Sequence, residues 1–410
     1  MSASPHSTWD VLIVGAGAAG LATAASLLKR RPSLRIAVLD PAQTHSYQPG
    51  WTMVGAGIFE QKKTVRTMAE VIPKGVKWVA QSVVAFHPTT QQVVLANDQI
   101  LHYEVLVAAP GLKLNWSAIA GLSDTLGQHG VTSNYRADLA PYTWKLVQNL
   151  HTGRALFTQP PMPIKCAGAP QKAMYLSADY WLRAGHLAGI DVQFHTAGGV
   201  LFSVADYVPA LMEYVERYNA KLNFGSTLVA VDGPARQATF AHKNAEGHVV
   251  ESVEHFDMIH VCPPQGPLDV IKHSPLANPE GWIDVDQHTL RHQRFSDVFA
   301  LGDSTSTPNA KTAAAARKQA PVVAENVLAT LDGRALPAQY DGYGSCPLTV
   351  ERGKIVLAEF GYGARLMPSL PAWMLDGRRP SRLAWHLKAD VLPALYWNAM
   401  LKGHEILCKP

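Results

Sequence analysis

Asp10-Val11-Leu12-Ile13-Val14-Gly15-Ala16-Gly17-Ala18-Ala19-Gly20 opens on an apolar run of the kind buried in a parallel sheet, turns through glycines, and enters a helical pattern over residues 21–28. Gly15 permits the tight turn, Gly17 lets a pyrophosphate approach the backbone, and Gly20 lets the helix pack closely on the strand. Phosphate would then meet the unpaired N–H groups and the dipole at a helix N-terminus. A second strand over 35–39 ends at Asp40, the distance downstream at which a carboxylate takes ribose hydroxyls. Strand, glycine turn, helix and terminal acid together predict a dinucleotide site. A glycine-rich strand–helix turn that binds nothing is the alternative use of the same residues.

Around this stretch, 410 residues are too many for one ordinary core, and two α/β domains with a tail are expected. A hydrophobic content of 47% with 17% charged residues excludes a disordered chain. The net charge of +4 is compatible with anionic lipid and falls well short of a nucleic-acid-binding signature. No apolar run reaches the roughly 18 to 20 residues of a spanning helix. The N-terminus, Met1 to Thr8, shows neither an apolar signal core nor an Arg-rich presequence, so folding in a reducing cytoplasm is expected. Four cysteines, Cys166, Cys262, Cys346 and Cys408, are too few and too scattered for a disulfide scaffold or for paired metal ligands. The seventeen histidines form no ligand-spaced cluster, so no metal is expected.

Along the chain, residues 41–57 read as a polar, aromatic, glycine-rich loop wrapping the cofactor. Short strands follow over 76–79, 82–86, 92–95 and 101–103, and the run 105–111 returns to the first sheet. A strand over 154–158 starts a second doubly wound unit. Where a nicotinamide-binding phosphate turn would follow it, the chain carries Pro160, Pro161, Pro163, Cys166 and Pro170. Proline has no N–H to offer phosphate. This turn is read as presenting a thiol instead, ahead of a helix over 171–184 whose N-terminus would stabilise a Cys166 thiolate. A helix over 208–218, a strand pair near 227–231 and 238–242, and a buried strand over 258–261 ending at Cys262 complete the unit. Next come a short hairpin over 282–290, a strand over 298–301 delivering Asp303, a helix over 311–317, and two strands through Phe360. Lys311 at that helix start opposes the dipole unless it faces something electron-rich. The division is 9–112 and 266–335 for the cofactor domain, 113–265 for the second Rossmann-like domain, and 336–410 for a C-terminal region.

Five strings carry a resemblance: Tyr47-Gln48-Pro49-Gly50-Trp51-Thr52 with Val54-Gly55-Ala56-Gly57; Lys165-Cys166-Ala167-Gly168-Ala169-Pro170-Gln171-Lys172; Gly302-Asp303 with Lys311-Thr312-Ala313-Ala314-Ala315; Tyr340-Asp341-Gly342-Tyr343 with Ser345-Cys346-Pro347-Leu348; and Leu395-Tyr396-Trp397-Asn398. In these, from Trp9 to about Gly403, the chain resembles the sulfide:quinone oxidoreductase family, most of all the branch that includes the mitochondrial enzyme. The resemblance implies an α/β fold with two Rossmann-like domains, and FAD as cofactor. FAD would be held by Gly15, Gly17, Ala18, Ala19 and Gly20, by Asp40 on the adenosine ribose, by Gln48 and Val83, by Asp303 near the ribityl chain and by Lys311 near the flavin ring. It implies Cys166 and Cys346 as the redox pair, with Cys346 the usual persulfide carrier. Sulfide, quinone and a small sulfur acceptor such as glutathione or sulfite are the implied partners.

A disulfide of that pair would supply the sulfur electrophile that HS⁻ attacks, leaving a persulfide and a thiolate. Buried thiols also serve as small apolar residues; that is the reading for Cys262, while Cys408 reads as an idle tail thiol. His195 is a candidate for proton transfer. Ser304 beside Asp303 has no redox part. The tail over 371–402 mixes Arg, Lys, Trp and Leu as interfacial helices do. A peripheral position on the cytoplasmic face of a membrane is expected from it, with quinone entering against Phe360, Tyr396 or Trp397. Packing on the protein body, or a contact within a homo-oligomer, explains the same pattern. Two other functions use the same fold: a type II NADH:quinone oxidoreductase, and a flavin-bound thiol redox sensor.

Overall fold

A computed structural model describes residues 8–408; the N-terminal reading over residues 1–7 lies outside the described residues. The organising strand, β1 (Trp9–Val14), is buried from Val11 onward and leads through the glycine turn into α1 (Ala18–Arg30). It is flanked by β2 (Ile36–Leu39), then β3 (Val76–Val79), and on its other side by β4 (Ile100–Ala108). The order β3-β2-β1-β4 is parallel throughout, with Val11 opposite both Ile36 and Val105. Covered on both faces, β1 and the second half of β4 are continuous apolar runs. The first half of β4 instead pairs antiparallel with Gln92–Leu95, which pairs with Val83–His87. The strand expected over 101–103 and the run expected over 105–111 thus share one strand serving two sheets, which ends at Ala108.

The second unit is a parallel sheet in which β5 (Gly153–Gln159) leads to α2 (Ala169–Ala184) and on to β6 (Ile190–Thr196), with β7 (Met258–His260) on the other side of β5. Val131–Thr132 and Lys221–Phe224 form its edges. Phe157 sits opposite both Phe194 and His260. Three antiparallel strands, Thr227–Asp232, Gln237–Lys243 and Val249–His255, attach to this unit.

The chain returns to the first sheet as β8 (Val298–Ala300), parallel to β4. Before it, the hairpin expected over 282–290 does not form. Ile283 makes single bridges to Ala277 and Thr305, and Val285 makes one to His292, because the segment serves as a spacer tying several loops rather than as a self-paired ribbon. α3 (Ala313–Leu331) shares a core with α1 through residues such as Leu21, Ala24, Val323 and Val327. It begins two residues later than expected because Thr312 caps it, its side chain accepting from Ala315 N at 3.2 Å. Lys311 therefore lies outside the helix.

The C-terminal region is an antiparallel hairpin, β9 (Gly344–Glu351) and β10 (Lys354–Phe360), with Cys346 opposite Ala358 and Ser345 opposite Glu359. Alternation puts successive side chains on opposite faces. Cys346, Leu348 and Val350 join the core of the second unit with Ala173 and Met174, while Ser345, Pro347, Leu357 and Glu359 face a large cavity. Helical turns from Arg382 lead into α4 (Leu392–Asn398). The tail divides in two: Tyr396, Trp397, Met400 and Leu401 are core residues of the first unit, whereas Trp373 is 83% exposed and Met374, Leu383 and Val391 also point outward. Among the described residues, no helix is long and apolar enough to cross a membrane.

Candidate active site

Both units and the hairpin meet around one cavity of about 670 Å³. Its phosphate end is the turn read first from the sequence. Gly15 has φ +99°, and a Cβ there would stand 2.3 Å from the Ala109 carbonyl oxygen, so this position requires glycine. At Gly17 a Cβ would meet nothing within 4 Å, because that direction is cavity. A Cβ on Gly20 would meet Gly15 O at 1.9 Å; Gly20 holds helix to strand and does not itself line the cavity. α1 has no side-chain cap and no acid in its first turn, which leaves its leading N–H groups for an anion. Asp40 lines the cavity and accepts from Ala16 N at 2.7 Å and Ala42 N at 2.8 Å. Farther along, the Asn134 amide and the Trp51 indole Nε1 are buried without partners while their residues line the cavity. Open glycine, free helix N-terminus and orphaned donors fit a bound dinucleotide.

The other expected cofactor contacts divide. Ala18, Ala19, Gln48, Asp303 and Lys311 line the cavity. Gln48 Oε1 accepts from Lys165 Nζ at 2.7 Å. Lys311 Nζ donates to the carbonyls of Asp303 and Thr305 at 2.9 and 3.0 Å and stands 4.2 Å from the centre of the Trp282 ring, the electron-rich surroundings its position required. Burial brings its ammonium down to about 8, and burial also raises the Asp303 carboxyl, against the pull of Lys311. Val83 is not brought to the cavity; it sits on an edge strand opposite Leu95.

At the opposite wall, the proline-bearing segment between β5 and α2 delivers Cys166, with φ +82°, to the cavity lining. Its Sγ lies 3.3 Å from Cys346 Sγ, although the two are 180 residues apart. Both are free thiols here. A disulfide needs about 2.0 Å between sulfurs, within reach of a small side-chain adjustment. Gly168 makes the approach possible, since a Cβ there would meet Leu348 Cδ2 at 2.2 Å and Cys346 Sγ at 2.8 Å. Lys172 Nζ donates to Cys166 Sγ at 3.3 Å. The Cys346 S–H and then Lys172 and Lys388 hold the Cys166 thiol well below the usual range against burial, whereas the hydrogen bond to Cys166 and burial push Cys346 up. With the Lys172 ammonium against it, Cys166 is the sulfur of the pair whose thiolate is favoured, and Cys346 the one whose thiol is favoured.

Two buried lysines escaped the sequence reading. Lys172 lies in the first turn of α2, where a cation opposes the dipole. The argument that singled out Lys311 would have found it too. Lys388 Nζ donates to Pro49 O at 2.8 Å, and burial and then the Lys172 charge bring it down to about 7; nothing in the tail composition distinguishes it.

Of the three residues expected near quinone, Tyr396 lines the cavity and donates to His45 Nε2 at 2.6 Å. Trp397 is buried beside it under the Arg66 guanidinium, and Phe360 packs edge-on to Phe202; neither lines the cavity. His195 is stacked on Phe240 and bonded to Ser226 and Asn223, likewise away from the lining. Cys262 is buried, with its thiol pushed up to about 12 by burial, an inert core residue. Cys408 is buried as well.

Comparison with known proteins agrees with this geometry. Residues 9–160 match the pyridine nucleotide-disulphide oxidoreductase family. The mitochondrial sulfide:quinone oxidoreductase of Dictyostelium discoideum is 40% identical over 96% of this chain and 86% of its own length. The Mus musculus mitochondrial enzyme of the same name is 36% identical over 97% and 87%. Among solved structures, the sulfide:quinone oxidoreductase of Aquifex aeolicus superposes with a TM-score of 0.77 at 17% identity, covering 96% of this chain and 92% of that one. With identity of this level running over almost the whole chain, the chain belongs to the sulfide:quinone oxidoreductase family.

Proposed function

We propose that this chain oxidises sulfide with FAD as cofactor and passes the electrons to quinone, with Cys166 and Cys346 as the sulfur-handling pair. The supporting observation is the 3.3 Å approach of the two sulfurs at the wall of a dinucleotide-shaped cavity, with the Lys172 ammonium against one of them. In the oxidised enzyme HS⁻ attacks the Cys346 sulfur of a Cys166–Cys346 disulfide. A sulfur–sulfur bond forms on Cys346, the old one breaks, and its electron pair leaves on Cys166. Lys172 favours that direction by stabilising the departing Cys166 thiolate, the lower-pKa leaving group. Cys166, and not Cys346, lines the cavity, so the thiolate emerges on the cofactor side. FAD bound there would supply the two-electron sink between sulfide and quinone. A small nucleophile such as glutathione or sulfite takes the sulfane sulfur from Cys346. FAD would be held by Gly15, Gly17, Ala18, Ala19, Asp40, Gln48, Asp303 and Lys311, all of which line the cavity.

Attachment at the cytoplasmic face of a membrane is part of the same proposal. Trp373, Met374, Leu383 and Val391 are exposed beside Arg378, Arg379 and Arg382, an apolar and basic surface suited to a bilayer interface. The neighbouring Leu370, Leu387, Leu392 and Leu395 line the cavity, so quinone would enter there.

Anaerobic mixing tests the reading. Sulfide bleaches the flavin absorption and NADH does not, and steady quinone reduction follows sulfide addition. Bleaching by NADH would favour the nicotinamide-dependent alternative, and sulfide-driven bleaching without turnover the redox sensor.

A further inference from the structure

The two faces of the β9–β10 hairpin separate the Cys346 sulfur from a chamber of different chemistry. On the cavity side stand Pro347, Leu357, Leu370, Leu387, Leu392 and Leu395, and among these apolar side chains one acid, Glu359, is buried at 6% exposure. Its hydrogen bonds come from hydroxyls and a peptide, not from an ammonium or guanidinium: Tyr343 Oη donates to Oε1 at 2.6 Å, Ser369 Oγ to Oε1 at 2.5 Å, and Ser369 N to Oε2 at 3.2 Å. Burial and then the Glu359 charge push the Tyr343 phenol up, so it stays a donor. Ser369 is exposed. A hydrogen-bonded path therefore runs from the chamber through Glu359 to water, on the face opposite Cys346.

Resting on the quinone-reducing reading above, we propose that Glu359 is the proton-exchanging residue of the quinone chamber. Quinone reduction needs two electrons and two protons. The reduced cofactor provides both electrons and one proton, and is oxidised. The second proton comes from water and is relayed through Ser369 and the Glu359 carboxylate, which takes it up and gives it to the quinone, so that one O–H bond forms at each quinone oxygen. The quinone is reduced to quinol, and charge and atoms are equal on the two sides.

The test uses FAD-loaded full-length enzyme and a short-chain benzoquinone, with the two half-reactions followed separately by stopped flow. Glu359→Gln keeps the shape and loses the exchangeable acid. Reoxidation of sulfide-bleached enzyme by quinone slows ~10²-fold, in the range for removal of a general acid, and the pH dependence of that step flattens. The KM for quinone stays within about threefold and bleaching by sulfide within about twofold, while Glu359→Asp regains part of the lost rate. Should Glu359→Gln not fold, Ser369→Ala at its exposed position interrupts the same path and slows the same step. Unchanged reoxidation in these variants overturns the proposal. So does equal slowing of both half-reactions, the mark of a structural role, or a raised KM with unchanged kcat, the mark of a binding contact. Failure of wild-type enzyme to bleach with sulfide would instead defeat the reading under it.

Discussion

Replacing Lys172 by methionine keeps the length of the side chain and removes the ammonium 3.3 Å from Cys166 Sγ. Lys172 is held in its charged form although buried: burial pulls its pKa down, and Cys166 and Cys346 outweigh that pull. Two unit charges about 4 Å apart interact by about 4 kcal/mol at an effective dielectric constant of 20. Relaxation of the site and the hydrogen bond from Cys346 reduce the net loss, leaving a rise of about 1 to 3 pH units in the Cys166 thiol, the usual scale for a nearby opposite charge. The ratio of thiolate to thiol at any given pH then falls about 10- to 1,000-fold, since each unit is ~1.36 kcal/mol. In reduced wild-type enzyme, alkylation of Cys166 by iodoacetamide, located by mass spectrometry, has its midpoint below the ~8.5 of a free thiol. In Lys172→Met that midpoint moves up by at least one unit and sulfide-driven bleaching slows in proportion, with FAD content unchanged. A midpoint that stays within 0.3 of a unit would refute the assignment of Cys166 as the stabilised thiolate.

Cys166→Ser and Cys346→Ser each abolish sulfide-dependent quinone reduction while FAD stays bound, and full activity in either variant contradicts the disulfide mechanism. Gly17→Leu fills the open direction at the phosphate turn and is expected to lose FAD, read from the flavin-to-protein absorbance ratio, with a folded apoprotein. Gly15→Ala meets the Ala109 carbonyl at φ +99° and is expected to lower stability by at least about 1–3 kcal/mol, the cost of a strained backbone site, read from urea unfolding; equal behaviour of the two glycines would show that both serve packing. Burial, with Arg154 adding to it, brings His195 to about 4, and burial does the same to His260. Unfolded, each takes its proton near 6.5, so the unfolded chain binds more protons between these values and stability falls as pH drops from 6.5 toward 4. For one such histidine the loss between pH 7 and 5 is about 2 kcal/mol, and His195→Gln should reduce the measured loss by about that amount. An unchanged loss would show that His195 is protonated in the fold at pH 5.

The dinucleotide half of the site was legible because its determinants are local. Gly15, Gly17, Gly20 and Asp40 lie within one strand–turn–helix–strand unit, and each residue type follows from a backbone or charge requirement that spacing alone expresses. The thiol half was legible at Cys166, where Pro160, Pro161, Pro163 and Pro170 take the place of a phosphate turn, but its partner was reached by resemblance. Spacing carries no information about a contact across 180 residues. Lys388 and Glu359 stayed hidden for a different reason. A lysine in a basic tail and a glutamate in a strand look solvent-facing in one dimension, and their burial depends on what other segments place over them. The tail was half legible. Its aromatic and basic composition fits an interface, yet Tyr396 and Trp397 lie in the core of the first unit, because the same apolar surface can be buried by the protein itself.

Which face of the hairpin holds sulfur is decided by register. Side chains alternate with period two, so a slip of one residue would turn Ser345 toward Cys166 and carry Cys346 into the leucine-lined chamber. The second unit prevents that slip. Tyr207 Oη donates to Glu359 O at 3.1 Å and accepts from Glu359 N at 3.0 Å, and Tyr218 Oη donates to Val350 O at 2.8 Å. Both tyrosines belong to the core that buries Cys346. The unit that carries Cys166 therefore also fixes the strand that carries Cys346. Coupling of the thiols is a property of how that unit grips the hairpin, so weakening the grip by Tyr207→Phe should disturb sulfur chemistry and the Glu359 chamber together.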